Sequence, residues 1–440
     1  MPEPSEPGRR KAAKLDGDSF VAFDHAAAGH DGVLCHADGS LIAKPCTQQE
    51  IAFYESSVHH PEFSRYMPTF MGTLAAAPDG AVSLSGKPDR QASITLVSNE
   101  SSGTETPLTP EVSQHPGTIG IARSATQREN QWVPSGGRKL DTGLSIVLEN
   151  VAGDFKRPSV LDVKLGARLW GDEAVPSKRA KLDEVSRQTT SSTLGFRIAG
   201  MKVWIGGENN CQAATEETLV EISDHIPADA NDEVKSKMEI IEAAGYRRYD
   251  KYYGRAFNEH NIKRGIESFL AGAKAGKVDY SKLVSRRLAM ELRAMQSMLE
   301  REESRMYSAS ILIVYEGDPE AFEQALVEER KTELESGQEN DPEAERREDE
   351  TMELASATAV DPQVAQELVS QSTINVEIGS EAVVGLGELD DDDEEEPKKV
   401  HDIRLIDFAH AKWTPGQGPD ENALHGVRSL ARILEELAEM

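Results

Sequence analysis

The stretch PSVLDVKLG, residues 158–166, combines an apolar, strand-like run with two charged side chains. Asp162 and Lys164 flank Val163, so on a β-strand both charged side chains project from the same face. A proline precedes the run and a glycine ends it, which is typical of a short strand. The pattern therefore predicts a strand that presents an acid and a lysine to one cleft. A simple ion pair on an exposed face is the alternative interpretation.

Two further charged residues, in other parts of the chain, would fit the same cleft as Asp162 and Lys164. Residues 32–46 resemble a hairpin around an Asp-Gly turn, and Lys44 stands at the end of its second strand. Asp407 ends the apolar strand IRLIDF, where a carboxylate is costly to bury without a partner. Phosphoryl transfer requires a lysine for phosphate oxygens, an acid near the attacking hydroxyl and an acid for Mg²⁺. The alternatives are that Lys44 is a solvated lysine at a strand end and that Asp407 is a hydrogen-bonded cap of its strand.

The net charge of −29 is distributed unevenly over the 440 residues. Residues 317–396 hold 27 acidic and 4 basic residues, a net charge of −23, so the remaining 360 residues carry only −6. Because exposed charges are largely screened beyond about 8–10 Å at cellular salt, the rest of the protein can still contain a positive pocket. The acidic segment is expected to be a solvated, self-repelling linker, and binding to a basic partner is the alternative.

The order of patterns along the chain indicates an α+β fold, with strands first, helices later and one late strand. Ser, Thr, Gly, Pro and Gln dominate residues 86–140, a composition that favours a disordered insertion. The first predicted helix begins with Thr47 and Glu50, which fit a capping box. Helical spacing of apolar residues or a helix-like composition predicts helices at 47–58, 230–243, 258–275 and 281–303.

Three cysteines lie far apart and give neither a disulfide framework nor a metal-ligand spacing, so a reducing compartment fits best. No run of 18 apolar residues occurs, and the basic start of the chain lacks an apolar core. We therefore expect neither a membrane span nor a secretory signal.

Residues 158–166 fit the pattern P-x-x-x-D-x-K-x-G, which is the signature of the inositol polyphosphate kinase family. Other segments resemble further landmarks of that family and follow in the family's order: AAAGHDG, LIAKPCTQQEIAFYE, VLENV, GFRIAGMKVW, YSASILIVYEG and IDFAHAKW. The resemblance covers about residues 20–436, insertions aside, and is closest to fungal members of the multikinase group. One departure occurs in the S-S-L-L strand, where Ala309 replaces the first serine and Ser310 remains.

The resemblance implies a two-lobed α+β kinase fold, similar to protein kinases and ATP-grasp enzymes. A flexible tail (1–17) would precede a small antiparallel N-lobe (18–150), which the insertion 86–140 interrupts. The C-lobe (151–440) would hold the inositol phosphate site and a disordered acidic insertion at 318–398. ATP and Mg²⁺ would bind between the lobes.

The resemblance implies nucleotide-binding roles for several residues along the cleft between the lobes. Lys44 would hold ATP phosphates, and Asp407 would coordinate Mg²⁺. Glu149 and Val151 would bind adenine through backbone groups of the interlobe hinge, and Asn150 would face the ribose.

For the substrate, the resemblance implies that Asp162 orients or deprotonates the attacking inositol hydroxyl. Lys164 would contact a substrate phosphate and the migrating charge. Lys202 and His410 would contact further phosphates of the inositol, and Ser310 is a candidate substrate contact.

The segment PSKRAKL, residues 176–182, forms a basic cluster shortly after the signature. Helical spacing places Lys178 and Lys181 on one side, where they would clamp substrate phosphates. The same cluster also fits a nuclear localisation segment, and a solvated helix face is the third interpretation.

The activity implied by the resemblance is transfer of the ATP γ-phosphate to hydroxyls of inositol tris- and tetrakisphosphates. Only 28 residues separate Gly166 from Gly195, and such a short cover favours an open, multikinase-type pocket. An inositol hexakisphosphate kinase or a trisphosphate 3-kinase is the alternative within the family. A nuclear scaffold or transcription-regulating protein with secondary kinase activity is the alternative from another class, with the acidic insertion binding a basic nuclear protein.

A protein kinase is disfavoured because neither an H-R-D-type loop nor a D-F-G triplet occurs. We expect a monomer, located in the nucleus and cytoplasm, that does not bind nucleic acid directly.

Overall fold

The computed structural model describes residues 20–23, 32–76, 82–85, 142–206, 217–337 and 398–440. The predictions for residues 1–17 and 86–140, and most of the AAAGHDG segment, lie outside these ranges. The chain divides into two compact units, one of residues 1–318 with 401–440 and one of residues 319–400. The first unit contains both large sheets and every candidate site residue.

Six antiparallel strands form the N-lobe: β1 Phe20–Ala22, β2 Leu34–His36, β3 Leu41–Pro45, β4 Phe70–Ala76, β5 Val82–Ser85 and β6 Leu144–Glu149. Their order in the sheet is β1-β2-β3-β6-β4-β5. Helices α1 (Gln48–Ser56) and α2 (Pro61–Ser64) follow β3 in the chain. The predicted hairpin is confirmed, since β2 pairs with β3 around a turn in which Gly39 has a φ of 82°.

The main C-lobe sheet consists of β7 Pro158–Leu165, β8 Phe196–Trp204, β9 Thr218–Leu219, β10 Ile240–Ala243, β11 Tyr246–Tyr249, β13 Ser310–Glu316 and β14 His401–Ile406. These strands are antiparallel in the order β14-β13-β7-β8-β11-β10-β9. A separate two-stranded sheet pairs β12 (Ser304–Met306) with β15 (Ala411–Trp413). The protein is thus a two-lobed α+β fold, as predicted.

The helices after the N-lobe are α3 Pro176–Arg187, α4 Ser191–Leu194, α5 Asp232–Lys235, α6 Lys251–Arg255, α7 Ile262–Leu270, α8 Ser281–Leu299, α9 Pro319–Gly337 and α10 Glu421–Glu439. Helices α8 and α10 pack together, and Ser285 Oγ donates a hydrogen bond to Leu434 O at 2.8 Å. None of the helices in the described ranges combines the length and the apolar character needed to cross a bilayer.

Strand β7 lies inside the C-lobe sheet, between β13 and β8. Leu161, Val163 and Leu165 are almost completely buried on its core side. The alternate positions, Asp162 and Lys164, share the opposite face, so the predicted strand and its alternation are confirmed.

Three glycines allow α10 to approach the end of β7 and the start of β8. A Cβ at Gly426 would lie 2.3 Å from Gly195 O, and Gly195 itself has a φ of 69°. Gly166, the last residue of the signature, has a φ of 92°, and a Cβ there would lie 2.3 Å from Asn422 Nδ2. The signature glycine is therefore required by backbone conformation and by the packing of α10.

The prediction of a helix over residues 230–243 was wrong in its second half. α5 ends at Lys235, and Ile240–Ala243 forms β10, which pairs with β11. A two-residue turn joins these strands, with positive φ at Ala244 (52°) and Gly245 (79°). Such turns match the twist of a hairpin, and Gly245 is the sequence signal that indicates this one.

The acidic segment begins with a helix rather than with disorder. Residues Pro319–Gly337 form α9, so the prediction of disorder over 318–398 was wrong there. Its buried side chains recur at helical spacing: Ala321, Phe322, Ala325 and Leu326. The acidic composition masked this apolar stripe, while residues 338–397 lie outside the part of the chain that the structure describes.

Candidate active site

An apolar cleft lies between the two large sheets, with about 770 Å³ of empty space including its open mouth. Four charged residues line it: Lys44, Glu149, Asp162 and Asp407. The apolar walls come from both lobes: Val33, Ile42, Leu148, Val160, Leu312 and Ile406. A mostly apolar cavity with a few convergent charged groups is the common form of a small-molecule site.

Strand β7 carries Asp162 into this cleft. The cross-strand neighbours of Asp162 are Leu312 on β13 and Gly200 on β8. The residue is only 3% exposed, and its Oδ1 has no hydrogen-bond partner within the described residues. Because a buried carboxylate oxygen without a partner is costly, this atom marks a position where a ligand group would bind.

Asp407 brings two lysines together at the end of β14. It has a φ of 69°, in the left-handed region that residues other than glycine rarely adopt. Lys44 Nζ lies 2.5 Å from Asp407 Oδ1, and Lys164 Nζ contacts Asp407 Oδ2. The structure therefore brings these three residues together from separate segments, while their roles stay predictions.

Glu50 completes this cluster, although its position in the sequence indicated only a helix cap. Thr47 does cap α1, since its Oγ1 accepts a hydrogen bond from Glu50 N at 3.2 Å. The Glu50 carboxylate is buried and instead accepts from Lys44 Nζ at 2.9 Å and from Phe408 N at 3.2 Å. Burial alone would lower the pKa of Lys44, but the carboxylates of Asp407 and Glu50 raise it above its usual value.

The hinge residues Glu149, Asn150 and Val151 line the cleft as predicted. Glu149 Oε2 accepts hydrogen bonds from Thr69 N at 3.0 Å and from Thr69 Oγ1 at 2.6 Å. Asn150 Nδ2 donates to Gly39 O at 2.7 Å, which ties the hinge to the hairpin. The amide group has a second N–H donor, and the ribose contact of Asn150 stays a prediction.

Lys178 and His410 meet at the N-terminal end of α3. Lys178 Nζ lies 3.2 Å from Nε2 of His410, and His410 follows Asp407 by three residues in the chain. Burial, and then the Lys178 charge, lower the pKa of His410 below its ordinary value. The pair supplies an ammonium group and an imidazole near the carboxylate cluster, and such groups donate to phosphate oxygens.

The rest of the basic cluster serves α3 itself or faces outward. Arg179 Nε donates to Ala174 O at 2.6 Å, and its Nη2 donates to Asp172 O at 2.5 Å. Lys181 is exposed on the same helix, and its substrate role stays a prediction. The substrate-contact and nuclear-localisation interpretations of this cluster are not exclusive, and both stay predictions.

Lys202 and Ser310 occupy buried positions on the strands beside β7. Lys202 lies opposite Val160, towards the hinge, and its Nζ is 4.4 Å from the centre of the Tyr246 ring. Ser310 lies opposite Lys164, and its buried Oγ has no hydrogen-bond partner among the residues described. Ser310 is thus adjacent to the charged cluster, whereas Lys202 lies further along the sheet.

A β-bulge in β8 brings Arg197 to the cleft face of the sheet. The sequence patterns did not single out this residue. Asp162 is opposite Gly200, but Lys164 is opposite Arg197, so β8 contains one extra residue at this point. In a regular strand the side chains at 197 and 202 would face opposite sides of the sheet. The extra residue places both on the cleft face, and Gly200 inside the strand is the sequence signal that would indicate a bulge here.

The carboxylate at the end of β14 fits a divalent cation that is shared with phosphate groups. No group of three or more His, Cys, Asp or Glu side chains that could hold a metal ion occurs in the ranges that the structure describes. Mg²⁺ usually keeps several waters and takes only one or two protein carboxylates together with substrate phosphates. Asp407 lines the cleft and would supply such a carboxylate.

Comparison with known proteins gives consistent matches. The family model described as inositol polyphosphate kinase matches residues 145–435. Inositol polyphosphate multikinase of Saccharomyces cerevisiae is 27% identical over 431 residues, which cover 94% of this chain and 98% of that protein. Human inositol hexakisphosphate kinase 1 is 24% identical over 507 residues, which cover 98% of this chain and 96% of that protein.

Among solved structures, inositol phosphate multikinase Ipk2 of S. cerevisiae in complex with ADP and Mn²⁺ aligns with a TM-score of 0.48 and 22% identity. That alignment covers 91% of this chain and 99% of the other. The family match spans well over half of this chain and includes β7, β8, β13 and β14, with all the candidate residues of the C-lobe. The chain belongs to the inositol polyphosphate kinase family and is a phosphotransferase of that family.

Proposed function

We propose that this protein is an ATP- and Mg²⁺-dependent inositol polyphosphate multikinase, which transfers the ATP γ-phosphate to hydroxyls of inositol tris- and tetrakisphosphates. The buried, unpaired Oδ1 of Asp162 carries the proposal. It lines the apolar cleft and shares a sheet face with the basic residues Lys164 and Arg197. A proton acceptor thus stands between a site suited to a nucleotide and a site suited to a polyanion.

The nucleotide side of the cleft matches the parts of ATP. The apolar walls and the hinge suit a base, and Lys44 suits phosphate oxygens because Glu50 holds its ammonium group in the cleft. ATP with Mg²⁺ would supply a phosphoryl group whose charge is partly neutralised. Asp407 would hold the metal, with Asp162 beside it.

The transfer itself depends on positioned charges rather than on covalent chemistry. Asp162 would accept the proton of the attacking hydroxyl at Oδ1. Lys164 would stabilise the charge that develops on the transferred group, because a largely buried ammonium acts in a medium of low dielectric.

The substrate side favours the multikinase over other members of the family. Its cover is small, since only α3 and α4 lie between β7 and β8. Lys178, His410 and Arg197 would bind phosphates through charge, and an open site of this kind tolerates several phosphate patterns. The similarity to human inositol hexakisphosphate kinase 1 along nearly the whole chain makes hexakisphosphate kinase activity the second candidate.

A product analysis tests the proposed function. Purified protein is incubated with ATP, Mg²⁺ and either inositol 1,4,5-trisphosphate or, in parallel, inositol hexakisphosphate, and the products are resolved by chromatography. We expect a tetrakisphosphate that is converted to a pentakisphosphate. A stop at a single tetrakisphosphate would favour a 3-kinase, and conversion of inositol hexakisphosphate alone would favour the second candidate.

A further inference from the structure

Helix α3, which carries Lys178, has very little apolar packing of its own. Among its twelve residues, all of which the structure describes, only Ser186 is buried. Ser186 Oγ donates a hydrogen bond to Ala167 O at 2.6 Å, which attaches the C-terminal end of the helix. At the N-terminal end Val175 stands in the cap position, where a valine side chain cannot accept a capping hydrogen bond. The first half of α3 therefore depends on another anchor, because most helices are held by an apolar face.

The indole ring of Trp170 supplies that anchor. Arg179, in the first turn of α3, places its guanidinium carbon 4.6 Å from the centre of the ring. Trp170 Nε1 donates a hydrogen bond to Asp183 Oδ1 at 2.6 Å, one turn further along the helix. Because Arg179 and Asp183 are four residues apart, they lie on one face of α3, and Trp170 contacts both. A guanidinium over an aromatic ring is a cation–π contact, for which Trp is the best partner.

Trp170 is itself attached firmly to the C-lobe. Arg168 also lies over the indole ring, with its guanidinium carbon 4.0 Å from the ring centre. The backbone of Arg168 exchanges two hydrogen bonds with the side chain of Asn422 on α10, at 2.8 and 2.9 Å. Leu169 is almost completely buried, and its carbonyl accepts a hydrogen bond from Ser308 Oγ at 2.7 Å. The residues before Trp170 thus hold it to the C-lobe, and its ring holds α3.

The backbone of His410 is connected to the same residues. The guanidinium carbon of Arg168 lies 4.8 Å from the centre of the Tyr307 ring. Tyr307 N in turn donates a long hydrogen bond to His410 O, at 3.5 Å. Arg168 therefore contacts both Trp170, which holds α3, and Tyr307, which holds His410.

The orientation of α3 decides where the Lys178 side chain points. Lys178 immediately precedes Arg179, so the contact between Arg179 and Trp170 sets the direction in which Lys178 leaves the helix. In this orientation Lys178 Nζ reaches His410 Nε2 at 3.2 Å. A rotation of α3 by one residue position, about 100°, would turn Lys178 away from His410.

We propose that Trp170 is a positioning residue of the substrate site, which fixes the first half of α3 so that Lys178 and His410 act together on one phosphate of the inositol substrate. This inference rests on the proposed function. The ring of Trp170 is occupied by the two arginines and by Asp183, so its effect on the reaction passes through Lys178. A contact with a phosphate that does not react is made equally before and during transfer, so its loss raises KM and leaves kcat nearly unchanged.

Kinetics and NMR of Trp170→Ala, in the full chain, test the proposal. We expect KM for inositol 1,4,5-trisphosphate to rise about tenfold or more, the loss expected for one charge-assisted hydrogen bond, while kcat and KM for ATP stay within about threefold. Burial, and then the Lys178 charge, lower the pKa of His410, so loss of the Lys178 contact raises that pKa towards its ordinary value in the protein without substrate. Glu173→Gln, at an exposed position before α3, is the control and keeps the wild-type KM and pKa.

Two further variants separate positioning from a general packing defect. Trp170→Phe keeps an aromatic ring for the two guanidinium groups, so it restores most of the substrate affinity. In a Lys178→Met background, Trp170→Ala has little further effect on KM, because the group that it positions is absent. A packing defect would instead weaken ADP binding as well, and its effect on KM would add to that of Lys178→Met.

Unchanged KM for the trisphosphate in Trp170→Ala, or losses that simply add in the double variant, would overturn the proposal. An unchanged pKa of His410 in Trp170→Ala would overturn the positioning role alone. A wild type that phosphorylates no inositol phosphate would overturn the proposed function, and the pKa measurement distinguishes that result from a failure of the positioning role.

Discussion

Lys44 stands between two carboxylates, with Asp407 Oδ1 at 2.5 Å and Glu50 Oε1 at 2.9 Å. All three side chains are largely buried, and removal of one partner leaves a buried charge poorly compensated. The position of the Lys44 ammonium group therefore depends on Glu50, a residue with no expected contact with substrate.

Glu50→Gln tests this dependence. The amide keeps the size of the side chain but removes a charge that orients Lys44, so kcat/KM for ATP falls roughly tenfold or more. Steady-state kinetics with varied ATP measure the change. Glu55→Gln, at an exposed position on the same helix, is the control and retains wild-type kinetics. Equal kcat/KM in both variants would mean that Glu50 serves only the fold.

His410 offers a test of local electrostatics. Lys178→Met removes a positive charge 3.2 Å from the imidazole, so the pKa of His410 rises towards its ordinary value, as measured by NMR titration of the ring protons. Arg187→Met removes the same charge at the exposed far end of α3 and leaves that pKa unchanged. A shift in the control as large as in Lys178→Met would contradict the direct contact.

The lowered pKa of His410 also predicts how the stability of the protein changes with pH. Folded protein binds a proton at His410 less readily than unfolded protein does, so the unfolded state holds more protons just below the ordinary pKa of 6.5. His410 therefore contributes a loss of stability as the pH falls through that value, and Lys178→Met reduces this contribution. Denaturant unfolding at several pH values measures both.

At the level of elements, the alternation of β7 was readable from the sequence and the register of β8 was not. Asp162 and Lys164 follow a strict period of two, which predicted their common face. Arg197 and Lys202 are five residues apart, and only an extra residue in β8 places both on the cleft face.

The contact between α10 and β8 makes Gly426 a sensitive position. Alanine gains about 1 kcal/mol of helix propensity over glycine, but its Cβ would lie 2.3 Å from Gly195 O, where the contact is with backbone. We expect Gly426→Ala to lower the free energy of unfolding by about 1–3 kcal/mol, measured by denaturant unfolding. His425→Ala, exposed on the same helix, changes it by less than about 0.5 kcal/mol. A neutral Gly426→Ala would show that α10 can move away without loss.

At the level of the whole molecule, the order of motifs predicted the two-lobed fold because each landmark that the structure describes in full includes part of a strand of one of the two large sheets. The charged cluster was largely predictable too, since Asp407 directly follows an apolar strand. Glu50 was missed because its spacing from Thr47 already had an explanation as a cap. Helix α9 was missed because acidic residues outnumber its apolar stripe.

Removing residues 338–397 tests whether this acidic region takes part in catalysis. A variant in which a short Gly-Ser linker replaces residues 338–397 keeps α9 and all the candidate site residues. We expect its kcat/KM for inositol 1,4,5-trisphosphate to stay within about threefold of the wild type, because screening limits the influence of distant exposed charge. Loss of activity in a folded variant would show that the region takes part in the reaction.

The central claim is that Asp162 is the proton acceptor in transfer of phosphate to an inositol hydroxyl. The most direct measurement is the rate of phosphate transfer from ATP to inositol 1,4,5-trisphosphate by Asp162→Asn, together with its unfolding temperature and ADP affinity. The variant is predicted to fold and bind ADP, while its transfer rate falls by a factor on the order of 10²–10⁴. A folded Asp162→Asn protein that keeps most of the wild-type rate would contradict the claim.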